Sequence, residues 1–137
     1  MWTYISSTGE MLEPNGSLLT TGYSGAYPSG INNPLMETVP DIGPIPTGNY
    51  TFMDPVDSPT HGPFAMPLVP DTDNEMFGRS GFMCHGDSTE HPGHASEGCI
   101  ILGRPYREGI WASGDHRLQV ISASNAADVS RAAIGED

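Results

Sequence analysis

The sequence predicts a single, mainly β domain with one or two short helices and long loops rich in glycine and proline. A chain of 137 residues has room for one domain, which we expect to span residues 1–137. Its short apolar runs are separated by 17 glycines and 13 prolines, a pattern typical of strands joined by turns. With 36% hydrophobic residues, the chain can bury a small core.

The first predicted strands lie at residues 2–7, 10–12 and 17–23. Asn15-Gly16 falls between the second and third of them, and both residue types tolerate the positive φ of a tight hairpin turn. The chain from 24 to 46 is rich in Gly, Pro, Ser and Asn but too apolar for a linker. We expect an ordered loop or covering flap with apolar anchors at Tyr23, Tyr27, Ile31 and Leu35.

Short apolar runs further along the chain favour five more strands, at residues 49–53, 64–69, 81–85, 99–102 and 117–122. Pro105 at a first-turn position and Gly114 as a stop signal predict one short helix between the last two strands. Asn125 can cap a second helix that runs toward Ile134.

Charge and hydropathy exclude several classes of function. The formal net charge is −12, and all five basic residues are arginines. Nucleic acids and anionic membranes need a positive surface, so neither is an expected partner. No apolar stretch approaches the roughly 18 to 20 residues of a membrane span. The first residues lack the basic and apolar regions of a signal peptide, so we expect synthesis in the cytoplasm without ordinary export.

Reactive side chains concentrate between residues 82 and 102. A strand ends at His85, a polar loop follows, and a second strand begins near Cys99. A cysteine nucleophile needs a base to become a thiolate, and His85 is the imidazole that a strand can hold rigidly. Gly86 can offer its carbonyl to orient that imidazole, and the N–H groups of Gly98 and Cys99 can converge on an oxyanion.

His85-Gly86 followed by Ser96-x-Gly98-Cys99-Ile100 resembles the active-site signature of L,D-transpeptidases. The turn Gly43-Pro44-Ile45-Pro46 before Tyr50 is similar to a turn and strand of that fold. From Trp2 to about Val120 the chain looks most like the L,D-transpeptidase-like effectors of type VI secretion. The shared features there are Trp2-x-Tyr4, Tyr23-Ser24-Gly25, Asn32-Asn33-Pro34, Arg79 before His85-Gly86, and residues 95–102.

The resemblance implies an L,D-transpeptidase-like β-sandwich or barrel that acts on the tetrapeptide stems of peptidoglycan. Cys99 would attack the carbonyl that joins meso-diaminopimelate to the terminal D-alanine, with His85 as base. Water would then complete an L,D-carboxypeptidase reaction, and a free D-amino acid would complete an exchange. No cofactor or metal is implied.

The same resemblance implies an antibacterial effector toxin, which a secretion system delivers to the periplasm of a target cell. Its partners would be a component of the secretion apparatus and an immunity protein in the producer.

Two positions depart from the signature of the housekeeping enzymes. Glu97 replaces the His that precedes Gly-Cys, and we expect its carboxylate to point away from the sulfur, since a nearby negative charge opposes thiolate formation. Ile101 replaces an Arg, so the substrate carboxylate needs another partner, for which we choose Arg79. The other expected substrate-binding residues are Ser96, Tyr23 and Asp87.

Other interpretations of this segment remain open. Six residues are potential zinc ligands and would make a zinc-binding hydrolase, namely Cys84, His85, Asp87, His91, His94 and Cys99, although no paired Cys-x-x-Cys is present. A non-catalytic wall-binding or phage-associated module is the third class. Strand alternation places Cys84 on the core face, and we do not expect it to form a disulfide with Cys99.

Overall fold

The computed structural model describes residues 1–123, which form a mainly β domain, as predicted. Its strands are β1 (Trp2–Ile5), β2 (Glu10–Leu12), β3 (Leu18–Thr21), β4 (Tyr23–Ser24), β5 (Gly48–Phe52), β6 (Val56–Ser58), β7 (Gly62–Pro70), β8 (Met83–His85), β9 (Ile100–Ile101) and β10 (Arg117–Ile121). The helix α1 spans Arg104–Ala112, and a 3-10 helix spans Pro34–Met36. Within residues 1–123, no helix has the length and hydropathy needed to cross a bilayer.

The strands form one mixed sheet in the order β3-β2-β1-β10-β5-β7-β8-β9-β4, with β6 attached to β7. The pairs β1–β10 and β8–β9 are parallel, and the other neighbours are antiparallel. The two ends of the order, β3 and β4, are separated in the chain by Gly22 alone. The first and last strands of the sheet order are therefore neighbours in the chain.

Gly22 divides a strand that the sequence predicts as continuous over residues 17–23. Its N–H donates to the carbonyl of Gly9 at 2.7 Å, and a Cβ at this position would lie 1.9 Å from the Ile101 carbonyl oxygen. No side chain fits there, so the backbone of β9 approaches directly. The chain leaves β2 at this point and pairs β4 with β9.

The apolar face of the sheet and α1 enclose the core. Its fully buried members come from strands on both sides of β10 and from α1, and they include Tyr4, Met11, Tyr50, Met66, Ile100, Ile110 and Leu118. The predicted turn at Asn15-Gly16 joins β2 to β3, and Gly16 has a φ of 93°. The predicted helix forms as α1, whereas the expected helix from Asn125 toward Ile134 lies outside the described residues.

The long loop between β4 and β5 is ordered, but not by all of its expected anchors. Leu35 is 90% exposed, so the prediction that its side chain holds the loop is wrong, whereas the half-exposed Tyr27 ring lies 4.6 Å from that of His94. Ile45 is fully buried and Ser24 Oγ accepts a hydrogen bond from the Ile45 N–H at 2.9 Å. The loop is therefore held by an apolar side chain at its end, Ile45, and not by Leu35 in its middle.

Candidate active site

His85 is a buried imidazole with one nitrogen fixed and one nitrogen free. It ends β8, is 2% exposed, and has Nδ1 2.8 Å from the carbonyl oxygen of Gly86. Since a carbonyl only accepts, Nδ1 carries the proton in the neutral ring and Nε2 presents a lone pair. Among residues 1–123, Nε2 has no hydrogen-bond partner. The ring is therefore held in the tautomer that a general base requires.

Cys99 precedes β9 and is brought to His85 by the pairing of β8 with β9. The parallel register sets Cys84 beside Ile100 and His85 beside Ile101. The Cys99 side chain is partly exposed. The backbone of Met83, at the start of β8, lowers the pKa of the thiol and so favours the thiolate. A free thiol thus lies beside the start of β8, the strand that ends with His85.

Ser96 builds the turn that presents Cys99. Its hydroxyl donates to the Cys99 carbonyl oxygen at 2.6 Å and accepts from the N–H groups of Gly25 at 2.9 Å and Gly98 at 3.0 Å. Ser96 is only 3% exposed. These three bonds make it a positioning residue for Cys99, whereas the sequence assigned it to substrate binding.

The predicted oxyanion hole needs one correction. The Gly98 N–H points to Ser96 Oγ and is not available to an oxyanion. The Cys99 N–H remains the candidate donor from that pair. Gly98 is needed for another reason, because its φ is +139° and a Cβ would lie 2.7 Å from both Arg79 Nη2 and the Phe82 ring.

His61 is a second imidazole at the site, and the sequence analysis missed it. It lies in the turn between β6 and β7, and its ring centroid is 4.7 Å from that of His85. The Cys99 sulfur, one ring nitrogen of His61 and one ring nitrogen of His85 all lie within 4.8 Å of one another. The sequence gives little signal for His61, because β6 is short and exposed and the turn is 24 residues before His85.

The three side chains lie where two cavities meet. A cavity of about 510 Å³ is lined by Cys99, and a second one of about 470 Å³ is lined by His85. Thr60, His61 and Ala95 line both. The sulfur therefore borders the first cavity, and the chain at His85 borders the second, whereas His85 Nε2 itself is buried.

Burial sets the protonation of the pair at rest. Burial raises the pKa of the Cys99 thiol, and the negative charge of Glu97 raises it further. The Met83 backbone and the positive charge of Arg79 lower the same pKa and partly offset that shift. Burial also lowers the pKa of His85, and the hydrogen bond to Gly86 partly opposes that shift. At neutral pH these shifts favour a neutral thiol and a neutral imidazole.

Arg79 holds loops together at the edge of the first cavity. Nη1 donates to the carbonyls of Glu37 at 2.7 Å and Pro44 at 2.8 Å, and Nη2 donates to those of Gly43 at 2.9 Å and Glu97 at 3.2 Å. These bonds occupy all four N–H groups of the two terminal nitrogens. The predicted contact of Arg79 with a substrate carboxylate stays a prediction.

Tyr23 and Asp87 contact each other across the site. The Tyr23 hydroxyl donates to Asp87 Oδ1 at 2.6 Å and accepts from the Ala95 N–H at 3.0 Å. Asp87 also accepts from the N–H groups of Ser88 and Gly93. Burial and the Asp87 bond raise the pKa of Tyr23 to about 12, so the hydroxyl stays a donor. The pair shapes the loop before Cys99, and its expected contact with substrate stays a prediction.

Glu97 and Cys84 complete the predicted set. Glu97 is exposed, yet it lines the same cavity as Cys99 and its charge raises the pKa of the thiol, so the expected isolation from the sulfur is incomplete. Cys84 is fully buried, and both cysteines are free thiols.

The six zinc ligands considered from the sequence do not assemble into one site. Among residues 1–123, only His85 and Cys99 of that set share a cluster, and the third member of the cluster is His61.

Comparison with known proteins gives one match. The family model described as the Tlde1 domain matches residues 19–124, which is well over half of the chain. No curated protein and no solved structure matches. The chain belongs to the Tlde1 domain family of type VI secretion effectors.

Proposed function

We propose that the chain is a cysteine enzyme of the L,D-transpeptidase type, which trims or exchanges the terminal D-alanine of peptidoglycan tetrapeptide stems. The observation that carries this proposal is the buried His85, with Nδ1 on the Gly86 carbonyl and a free Nε2 in a cluster with Cys99. Membership in an effector family supports an antibacterial role, with delivery by a type VI apparatus and an immunity partner in the producer. The site of action would be the periplasm of the target cell.

In the proposed first step, His85 Nε2 takes the proton from Cys99 as the sulfur attacks the carbonyl carbon of the scissile amide. The oxygen of that carbonyl becomes an oxyanion, for which the Cys99 N–H is the candidate donor. His85 then gives the proton to the leaving nitrogen. The C–N bond breaks, D-alanine leaves, and a thioester joins the stem to Cys99.

In the second step, an acceptor attacks the thioester carbonyl and His85 takes the acceptor's proton. Water gives the tripeptide acid, and the amine of a D-amino acid gives an exchanged tetrapeptide. The proton returns to the sulfur as the C–S bond breaks. The cavity of about 510 Å³ at Cys99 supports such a reaction, because the acceptor can enter the space that D-alanine leaves.

The test is mass spectrometry of a disaccharide-tetrapeptide after incubation with the chain, with and without D-methionine. We expect the loss of one alanine residue, or its replacement by methionine, with the wild type and not with Cys99→Ala. Cys84→Ala is the matched control, because it removes the other thiol and leaves the pair intact. An unchanged stem after incubation with folded, reduced wild type would contradict the proposal and favour a wall-binding module.

A further inference from the structure

His61 has no part in the two proposed steps, although it lies against both groups that perform them. Its ring faces that of His85 with centroids 4.7 Å apart, and one ligand atom from each of His61, His85 and Cys99 lies within 4.8 Å of the other two. The turn that carries it is held on β7, whose register with β8 pairs Met66 with Cys84. His61 therefore reaches the site through the sheet, and not by a chance contact of loops.

Both imidazoles of the cluster have Nδ1 beside a protein oxygen. His85 Nδ1 lies 2.8 Å from the Gly86 carbonyl. His61 Nδ1 lies 3.2 Å from Ser58 Oγ and 3.0 Å from Thr60 Oγ1. Metal-binding histidines are typically oriented in this way, with the second nitrogen bonded to an oxygen outside the coordination sphere. His85 Nε2 thus has its lone pair free for a ligand, and His61 Nε2 has one when its Nδ1–H donates to either hydroxyl.

His85 adds a second observation, a buried nitrogen that could bind a ligand. The residue is 2% exposed, and its Nε2 is a buried polar atom with no hydrogen-bond partner among residues 1–123. Such atoms are rare because an unsatisfied buried polar group costs about 1–3 kcal/mol. A cation that accepts a nitrogen lone pair would satisfy it.

We propose that His61, His85 and Cys99 form a binding site for a zinc-like divalent ion and, resting on the proposed function, that a bound ion holds the enzyme inactive. Two imidazole nitrogens and one thiolate are a donor set that zinc favours, and hard cations such as Mg²⁺ prefer oxygen. Tetrahedral zinc would need the three donor atoms about 3.3–3.6 Å apart. Side-chain rotations would have to close the gap from 4.8 Å, and the first cavity, which His61 and Cys99 line, could admit a fourth ligand.

Binding of the ion displaces the thiol proton of Cys99, and the same step would inhibit the enzyme. The thiol S–H bond breaks, the sulfur bonds to the ion, and the proton is released to solvent. The ion then occupies both the sulfur that would attack and the nitrogen that would take its proton. Removal of the ion by a chelator restores the free pair, so the inhibition is reversible.

The test uses Co²⁺ as a spectroscopic stand-in for zinc on the full, reduced chain. We expect one equivalent to bind with a thiolate-to-cobalt charge-transfer band and the intense visible bands of a four-coordinate ion. His61→Asn and Cys99→Ser should each weaken binding at least tenfold, and Cys99→Ser should also abolish the charge-transfer band. His91→Asn is the matched control, because His91 is an exposed histidine of the nearby loop and should leave the spectrum unchanged.

A second measurement needs no variant. One equivalent of Zn²⁺ should protect Cys99 from iodoacetamide, read by peptide mass spectrometry, and excess EDTA should restore alkylation at least tenfold. Cobalt bound without the charge-transfer band, or alkylation of Cys99 unchanged by zinc, would overturn the assignment. Neither readout involves a stem peptide, so an inactive enzyme that still binds the ion would count against the proposed function alone.

Discussion

At the scale of single residues, the site depends on groups whose roles differ from what their types suggest. A serine beside a nucleophile is commonly expected to touch substrate, yet Ser96 uses its hydroxyl for Cys99, Gly25 and Gly98. A glycine N–H beside a nucleophile is an expected oxyanion donor, yet that of Gly98 is bound to the same serine. The backbone around Cys99 is thus fixed before any substrate arrives, which is the preorganisation that catalysis needs.

The lowered pKa of His85 gives the first prediction at this scale. Burial favours the neutral ring, so His85 stays neutral, and able to accept a proton, at pH values below its ordinary pKa of 6.5. We expect kcat/KM for stem turnover to stay level through mild acid and to fall only at a pH below 6.5. The measurement is a pH profile of kcat/KM, which reports groups of the free enzyme.

His85→Gln provides the control for this profile, since it should remove most of the activity and the acidic limb with it. An acidic limb with its midpoint above 6.5 would mean that the imidazole is more hydrated, or closer to a carboxylate, than the contacts with Gly86 and His61 imply.

At the scale of elements, Arg79 joins two loops that flank the thiol. Its four backbone contacts connect the loop before β5 with the turn before β9. Lysine has three donors on one nitrogen and cannot reach four separated carbonyls. We expect Arg79→Lys to lower the free energy of unfolding by about 2–4 kcal/mol, measured by urea denaturation.

Arg104→Lys is the matched control for that measurement. Arg104 lies on α1 with an exposed partner, Glu108, so its replacement should change stability by less than about 0.5 kcal/mol. If Arg79→Lys instead keeps its stability and raises KM, the guanidinium binds substrate, as the sequence analysis expects.

The sequence predicts elements well where side-chain patterns are local. An alternating segment predicts β5, a short apolar run predicts β10, and Asn15-Gly16 predicts the turn between β2 and β3. β6 is missed because its residues are mostly exposed and show no alternation.

The residues of the site, too, can be predicted from the sequence only where they are close together in the chain. His85 and Cys99 lie in one segment and can be paired by inspection, whereas His61 joins them only through the pairing of β7 with β8.

At the scale of the whole molecule, the first strand is central to the sheet although it opens the chain. β1 lies between β2 and β10, and it pairs in parallel with β10 from Trp2 beside Leu118 to Ile5 beside Ile121. Tyr4 and Ile5 are almost fully buried. The Tlde1 domain match begins at residue 19 and so leaves out both β1 and β2.

We therefore expect a chain of residues 19–124 to be unfolded, whereas residues 1–124 fold. Loss of β1 and β2 removes side chains such as Trp2, Tyr4 and Met11, each worth about 1.5–3 kcal/mol of burial, against a typical total stability of about 5–15 kcal/mol. It also leaves one edge of β10 without a partner strand. Circular dichroism and limited proteolysis of the two chains, which end at the same residue, measure the difference. A cooperative thermal transition in the shorter chain would show that β10 and β5 can complete the core without the first strand.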